Sequence, residues 1–492
     1  MPTADPSTPA IDRRTFFIDG KWVAPQSSAE WQAIEAATGE PIGVAALGGE
    51  ADIEAAIAAA HAAHQRGDWA ATAPGERAKV LHRFADALAA RGDVTSELAT
   101  RENGMPIGLS QAFNGQAPAH LLRQYADLAA ATEFEEIRPS AQGSTIVRRE
   151  PVGVVGVITP WNYPQAKALI SIAPALAAGC SVVLKHSPDA ALDSYVIGEA
   201  AEEAGLPPGV LNIVLADREP ASLLTRHPLV DKIAFTGSTA SGERVGAEAG
   251  RRFKRMTLEL GGNSAAIVLD DVDIDAFVTG IATAAFMNNG QTCTGQWRVL
   301  APRSRYAEIV AALAEWAATQ TIGNPLDPAV TIGPLANERH LTKVRRSIDN
   351  ATADGARLVY GGRRPEGLTR GWFIEPTVFA DVANTHRIAR EDIFGPIVAV
   401  IPYTGEDEAV ALANDSDYGL AGSVWTADEQ HGLAIARRVR TGTIGVNYYL
   451  NDFYAPFGGV KGSGIGRELG PEGFQQFLEY KTIYASAALL PS

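Results

Sequence analysis

Cysteine is scarce in this sequence, with two in 492 residues. That excludes a disulfide framework and fits a reducing compartment. No apolar run reaches the length of a membrane span. The stretch Met1 to Arg14 is polar and proline-rich and lacks the apolar segment of a secretory signal. Nor is positive charge in excess: 42 Lys and Arg stand against 57 Asp and Glu, a net charge of −15. The two signs are interspersed, which argues against a nucleic-acid-binding surface. What remains is an ordinary globular balance, 46% hydrophobic and 20% charged. The length suits roughly two to four structural units, and a core of that size needs neither disulfide nor metal to hold it. The expectation is a soluble, cytoplasmic enzyme.

Along the chain, Phe16 to Val23 reads as a hairpin with an Asp19-Gly20 turn. Apolar residues from Asp52 to Gly104 fall at helical spacing and predict two or three amphipathic helices. His61 and His64 there have a metal-compatible spacing, but no other ligand type clusters nearby, so no metal site is assigned. From Glu150 the pattern becomes alternating β and α. The β-branched run Glu150–Ile158 and the strands Ser181–Lys185, Val210–Val214 and Lys232–Phe235 are separated by helices over 166–178 and 191–204 and by a short helical segment before Lys232. Continuous apolar strands alternating with helices predict a parallel sheet covered on both faces, with ligands at the carboxyl ends of its strands. A second β/α series starts near Ala265 and runs through strands at 297–300, 398–401 and 423–425, with a helix over 306–321. The acidic run Asp270 to Asp275 lacks the glycine and distal glutamate of a calcium loop and reads as a helix N-cap. The tail Leu478 to Tyr484 reads as a strand with no local partner, so pairing across a subunit interface is expected.

Three positions carry candidate chemistry. Cys293 sits in the glycine- and amide-rich turn Asn288 to Arg298, where backbone N–H groups could stabilise a thiolate, whereas Cys180 lies in an apolar run. Glu259, between Leu258 and Leu260, is placed for partial desolvation and a raised pKa, as a general base needs. Asn162, in a turn stiffened by Pro160 and Pro164, offers a side-chain NH₂ to an oxyanion. The loop Gly237-Ser238-Thr239-Ala240-Ser241-Gly242 joins a strand to a helix and suits a phosphate, yet it is neither a P-loop nor the usual dinucleotide fingerprint. Gly464-Ile465-Gly466 has no preceding strand and is discounted.

Taken together, Pro160-Trp161-Asn162-Tyr163-Pro164, Phe235-Thr236-Gly237-Ser238, Leu258-Glu259-Leu260-Gly261-Gly262, Gly290-Gln291-Thr292-Cys293, Glu391-Asp392-Ile393-Phe394-Gly395-Pro396 and Pro456 to Gly464 occur in an order that resembles the aldehyde dehydrogenase superfamily over nearly the whole chain. The resemblance implies an α/β fold: a Rossmann-like NAD(P)-binding domain (1–128 and 150–258), a second α/β catalytic domain (259–450), a small β oligomerisation element (129–149 and 478–492), and a segment (451–477) returning to the active site and cofactor domain. It implies Cys293 as nucleophile, Asn162 and the Cys293 N–H as oxyanion donors, Glu259 as the base that activates water, and Glu468 in a proton relay behind it. For the cofactor it implies Ile158, Thr159, Pro160, Trp161, Lys185, Ser187, Pro188, Gly237, Ser238, Leu260, Gly261, Asp392 and Phe394. For the substrate it implies an aromatic funnel of Tyr163, Trp297, Tyr449, Phe453 and Phe457, suited to an apolar aldehyde (medium-chain, aromatic or terpenoid).

Departures from the family pattern are specific. The relay lysine common nine positions after the oxyanion asparagine is Ser171 here, with Lys167 one turn earlier as the candidate replacement. The ribose-binding glutamate is Asp392, one methylene shorter. His186 stands in place of a common proline, and Pro188 in place of a glutamate found in many NAD-preferring relatives, which leaves NADP as the alternative to NAD. The expected activity is oxidation of an aldehyde to the free acid by a homodimer or homotetramer. The rivals are a semialdehyde or CoA-acylating dehydrogenase, a cysteine hydrolase, and a catalytically silent cofactor-binding relative.

Overall fold

In the computed structural model, which describes residues 11–140 and 143–486, the β-branched run after Val152 forms the strand Val154–Ile158, buried throughout. It lies inside an eight-stranded sheet. The order across that sheet is Gly464–Ile465, Arg255–Glu259, Lys232–Thr236, Val154–Ile158, Ser181–His186, Leu211–Leu215, Phe16–Ile18 and Lys21–Val23. The five central strands are parallel, and the pairings at both edges are antiparallel. The predicted Asp19-Gly20 turn closes the edge hairpin, with both residues at positive φ (53° and 70°), as a two-residue hairpin turn requires.

The chain leaves Val154–Ile158 towards Ser181–His186 and Leu211–Leu215, then crosses back to Lys232–Thr236 and Arg255–Glu259. Strand order therefore reverses between Val154–Ile158 and Lys232–Thr236. A crevice opens at such a reversal, at the carboxyl ends of the strands. The helix Pro164–Ala178 is buried along its whole length and starts at a proline, whose missing N–H costs nothing in the first turn. It begins two residues earlier than its apolar periodicity suggests. The helix expected over 191–204 is shorter, Ser194–Glu203.

A second sheet of seven strands has the order Arg357–Tyr360, Thr377–Ala380, Ile397–Tyr403, Arg298–Pro302, Ala265–Val268, Gly422–Trp425 and Gly445–Val446. All its neighbours are parallel except the first pair. The acidic run does cap a helix: Asp273 accepts hydrogen bonds from the Asp275 and Ala276 N–H groups at 3.0 and 3.1 Å, opening Ile274–Phe286.

The terminal strand departs from expectation. Leu478–Ala485 pairs antiparallel with Gly143–Pro151 of the same chain, which in turn pairs with Glu135–Ser140. The partner lies more than three hundred residues away in sequence, so nothing local announced it. This sheet carries a cross-strand row of Ile137, Ile146 and Ile483.

Candidate active site

The turn before Cys293 is built from three successive residues in the left-handed region, Asn288, Asn289 and Gly290 (φ 52°, 59° and 73°). Each non-glycine residue there costs about 1–2 kcal/mol, so the surroundings must impose it. They do so through side-chain amides. Asn289 donates to the Gly104 and Pro334 carbonyls at 2.8 and 2.9 Å and accepts from the Gly333 N–H at 2.7 Å. Gln291 accepts from the Ala336 N–H at 2.9 Å and donates to the Asn103 carbonyl at 3.2 Å. A Cβ at Gly290 would run into the Gly395 carbonyl. The turn is thus clamped to segments from both sheets' surroundings.

Asn162 is 2% exposed and faces this turn. Its side-chain NH₂ donates to the Gln291 carbonyl at 2.9 Å, which commits one hydrogen and leaves the other. Its own carbonyl accepts from Asn288 at 2.9 Å and from Asn103 at 3.2 Å. Asn162, four residues beyond the strand Val154–Ile158, and the Cys293 turn are therefore locked together by reciprocal bonds.

Glu259 ends the strand Arg255–Glu259 and is buried. Neither carboxylate oxygen has a hydrogen-bond partner among the described residues. Burial raises its pKa well above the ordinary carboxylate range, Glu468 raises it further, and Lys167 and Arg467 oppose the rise. The desolvation expected from two flanking leucines is present. Glu468 is held alongside by backbone bonds in both directions with Phe457, each 2.7 Å. Its pKa is also raised by burial, against the pull of Lys167, Lys232 and Ser171. Lys167 Nζ pairs with Glu468 Oε2 at 3.6 Å. A Cβ at Gly458 would approach Glu259 Oε1 to 2.6 Å, so only glycine leaves that oxygen free.

Cys293 is partly buried and unbridged. Its thiol pKa is raised: burial is the main cause, Lys167 opposes it, and Glu259, Asp392 and Glu468 add to it. Burial and the three carboxylates thus act against the thiolate that the turn's N–H groups are expected to stabilise.

From Cys293 a narrow pocket, with a cavity volume of about 50 Å³, runs out between helices. Tyr163, Tyr449, Phe453 and Phe457 line it as expected, and Tyr163 OH hydrogen-bonds Thr292 Oγ1 at 2.7 Å. Trp297 does not line it. Its ring is fully buried in the core of the second sheet, backed by Gly295 and 6.3 Å from Phe394. As the residue before the strand Arg298–Pro302, it points into the sheet's packing layer. Phe113, Ile170, Met287 and Lys167 line the pocket instead. Phe113 comes from a stretch that sequence spacing leaves featureless. Ile170 and Lys167 lie on the face of Pro164–Ala178 that follows Asn162.

At the strand reversal lies a cleft of about 1230 Å³. Its walls include Ile158, Thr159, Pro160, Trp161, Lys185, Ser187, Pro188, Gly237 and Ser238. Ser238 precedes the helix Thr239–Gly250 without capping it by its side chain, so N–H groups at that terminus remain available to an anion. Lys185 is buried, and its pKa is pushed down to about 8 by burial, while Asp217 and Asp189 favour its charge. Asp217, Asp189 and Arg218 were not singled out in the sequence; they reach the cleft from loops after neighbouring strands.

Leu260, Gly261, Asp392 and Phe394 lie outside that cleft's walls. They stand nearer the nucleophile. Gly261 is in tight approach to the Asp392 carboxylate, and Gly262 has the Cys293 carbonyl 2.7 Å from where a Cβ would be. Phe394, at φ 60°, packs 5.7 Å from Trp161, which does line the cleft. Asp392 is buried, with its pKa raised by burial to about 6 and Oδ1 without a hydrogen-bond partner among the described residues.

The aldehyde dehydrogenase family model matches residues 22–483. Geranial dehydrogenase of Castellaniella defragrans is 49% identical over 475 residues, which are 96% of this chain and 99% of that protein. The crystal structure of a Mycobacterium tuberculosis aldehyde dehydrogenase complexed with NAD+ superposes with a TM-score of 0.94 at 46% identity, covering 98% of this chain and 99% of that one. A mutant aldehyde dehydrogenase of Pseudomonas syringae complexed with NAD+ and octanal superposes with a TM-score of 0.93 at 38% identity, covering 99% of each chain. A nucleophile turn, a buried unpaired glutamate and a strand-reversal cleft thus meet in a chain that belongs to the aldehyde dehydrogenase family.

Proposed function

We propose that this enzyme oxidises an apolar aldehyde to the free carboxylic acid with NAD as acceptor. The observation that carries the reading is the apolar pocket that ends at Cys293, where Asn162 and the unpaired Glu259 stand beside the nucleophile turn. The cleft fits a dinucleotide: it is large, one wall is a helix N-terminus with N–H groups available, and Lys185 offers a buried cation. Solved relatives that carry NAD+ support the same choice. NAD, when bound, supplies the hydride acceptor. Asp189 and Asp217 beside Lys185 would repel an additional phosphate, which supports NAD over NADP even with Pro188 in place of a glutamate.

The chain's own residues account for the rest. Cys293 Sγ, having lost its proton, adds to the aldehyde carbon. The oxygen that becomes negative is met by the free hydrogen of the Asn162 amide and by the Cys293 N–H, donors already held in place before reaction. Once the carbon has been oxidised to the thioester, water attacks it. Glu259 takes the proton from that water, the C–S bond breaks, and the acid leaves. A glutamate with a raised pKa and no competing hydrogen bond is suited to that step. Glu468 behind it is placed to pass the proton on.

The pocket's aromatic and aliphatic walls support a medium-chain, aromatic or terpenoid aldehyde, and relatives named for geranial and crystallised with octanal point the same way. The domain division is proposed as the two sheets: a cofactor unit (1–128 and 150–258) and a catalytic unit (259–450), with 451–477 returning to both and 129–149 with 478–492 forming an oligomerisation element. The unbridged Cys180 and Cys293 support a reducing, cytoplasmic setting.

A rapid-mixing trace of reduced-nucleotide formation tests the reading, using octanal or geranial with excess NAD. A burst equal to the site concentration, abolished in Cys293→Ala, is expected. In Glu259→Gln the burst should persist and the following phase should slow by about a hundredfold. No reduced nucleotide from any aldehyde would overturn it.

A further inference from the structure

The helix Pro164–Ala178 turns two polar side chains towards Glu468. Ser171 acts to lower the pKa of its carboxylate, and Lys167, one turn earlier, pairs with it at 3.6 Å. Only the second of these also belongs to the aldehyde pocket: Lys167 is among the lining residues with Cys293, and Ser171 is not. Lys167 Nζ lies 5.0 Å from the centre of the Phe457 ring, another wall of that pocket. The side chains of Lys167 and Glu468 are 9% and 6% exposed. One buried cation therefore adjoins both the relay carboxylate and the space that an acyl chain would fill.

We propose that Lys167 is a positioning residue that couples the aldehyde pocket to the proton relay, its ammonium holding Glu468 ionised behind Glu259 while an apolar acyl chain lying along its stem seals that ion pair from water. The proposal rests on the reading of Cys293 as nucleophile and Glu259 as base.

The electrostatics around the pair are asymmetric. Burial works against the Lys167 charge, but Glu468, Cys293 and Glu259 together outweigh it and raise its pKa. Two buried carboxylates near one another disfavour double ionisation. Lys167 lowers the pKa of both, and so lowers the pH at which Glu259 can accept a proton. The other charged or titratable groups facing this cluster are Lys232 towards Glu468, Arg467 towards Glu259, Asp392 towards Cys293, the phenol of Tyr125, kept protonated by burial and then by Glu468, and the buried phenols of Tyr163 and Tyr449 towards Cys293. Of these only the phenols of Tyr163 and Tyr449 line the aldehyde pocket, and neither is a cation. A long apolar acyl group filling the pocket would exclude water from the Lys167–Glu468 pair and strengthen it, and an acetyl group would fill less of that space.

Activated esters separate the steps without requiring hydride transfer. Cys293 Sγ, its proton lost to solvent, attacks the carbonyl carbon of p-nitrophenyl octanoate or acetate, and the ester C–O bond breaks as p-nitrophenolate leaves. Water then cleaves the thioester, its proton passing to Glu259 and the sulfur leaving as thiolate. Acylation is read from p-nitrophenolate release, and hydrolysis from decay of the acyl mass on the intact protein, across pH. In the unaltered enzyme, octanoyl should hydrolyse faster than acetyl. Lys167→Met, which keeps the stem and removes the charge, should still acylate to one per site. Its hydrolysis midpoint should move up by about one pH unit or more, and the octanoyl advantage should vanish. Lys167→Arg should keep the original midpoint. Lys167→Met combined with Ser171→Lys should recover the midpoint without the octanoyl advantage, because position 171 lies outside the pocket. An unmoved midpoint in Lys167→Met overturns the proposal, as does full recovery of the octanoyl advantage in the double variant. Unslowed hydrolysis in Glu259→Gln would instead overturn the underlying reading of the base.

Discussion

At the scale of single residues, the site is a set of buried groups whose titration is shifted upward while no counter-ion fully offsets burial. Glu259 gains its basicity from burial and from Glu468, its oxygens have no hydrogen-bond partner among the described residues, and Gly458 has no Cβ to press on Oε1. Cys293 is shifted in the same direction by burial and by three nearby carboxylates, with Lys167 as the opposing cation. The thiolate is the reacting form. Alkylation of the cofactor-free protein by iodoacetamide should therefore rise with pH to a midpoint above the ordinary thiol value of about 8.5. Peptide mass spectrometry should find the label on Cys293 and not on Cys180, whose buried thiol is pushed up to about 12. A midpoint at or below the ordinary value would contradict the electrostatic picture.

Among the elements, the turn Asn288–Gly290 decides whether the nucleophile is aimed. Its left-handed backbone is imposed from outside by the Gly104, Gly333, Pro334 and Ala336 backbone groups that Asn289 and Gln291 bind. Gly290→Ala would add both an unfavourable φ and a collision with the Gly395 carbonyl. It should cost about 1–3 kcal/mol of stability and lower kcat about tenfold or more by displacing Cys293. Calorimetry and steady-state kinetics on one preparation would check both, and unchanged kcat would mean the turn does not aim the sulfur. The Asp19-Gly20 hairpin, the Asp273 cap and the Gly237 loop were legible because each depends on residues adjacent in sequence. Trp297 was misplaced because aromatic character alone does not tell which face of a strand end a ring will occupy.

For the whole molecule, the two sheets divide the labour. The eight-stranded sheet supplies the cleft at its strand reversal and the ends that carry Asn162 and Glu259. The seven-stranded sheet follows the Cys293 turn and anchors it. The three-stranded sheet stands apart from this chemistry, and it exposes Ile137, Tyr480, Ile483 and Tyr484. Ile137 and Ile483 flank the half-buried Ile146 on one face of this sheet, Tyr480 and Tyr484 fall on the other, and exposed apolar residues of this kind suit a second copy of the chain. Sedimentation velocity should show a dimer or tetramer of the 51.9 kDa chain, and Ile483→Glu should shift it towards monomer with the secondary structure retained. A monomeric parent would remove this role from the sheet.

The sequence by itself determined the alternation of strands and helices and the family, and singled out Cys293, Glu259 and Asn162 as candidates, because local periodicity and short motifs encode these. Only the tertiary structure decided what those groups feel. The pairing of Leu478–Ala485 with Gly143–Pro151, the exclusion of Trp297 from the pocket, the elevated thiol of Cys293 and the meeting of Lys167 with Glu468 all join residues remote in the chain. Burial, and the charges that share it, are properties of the packed whole, and no stretch of sequence carries them alone.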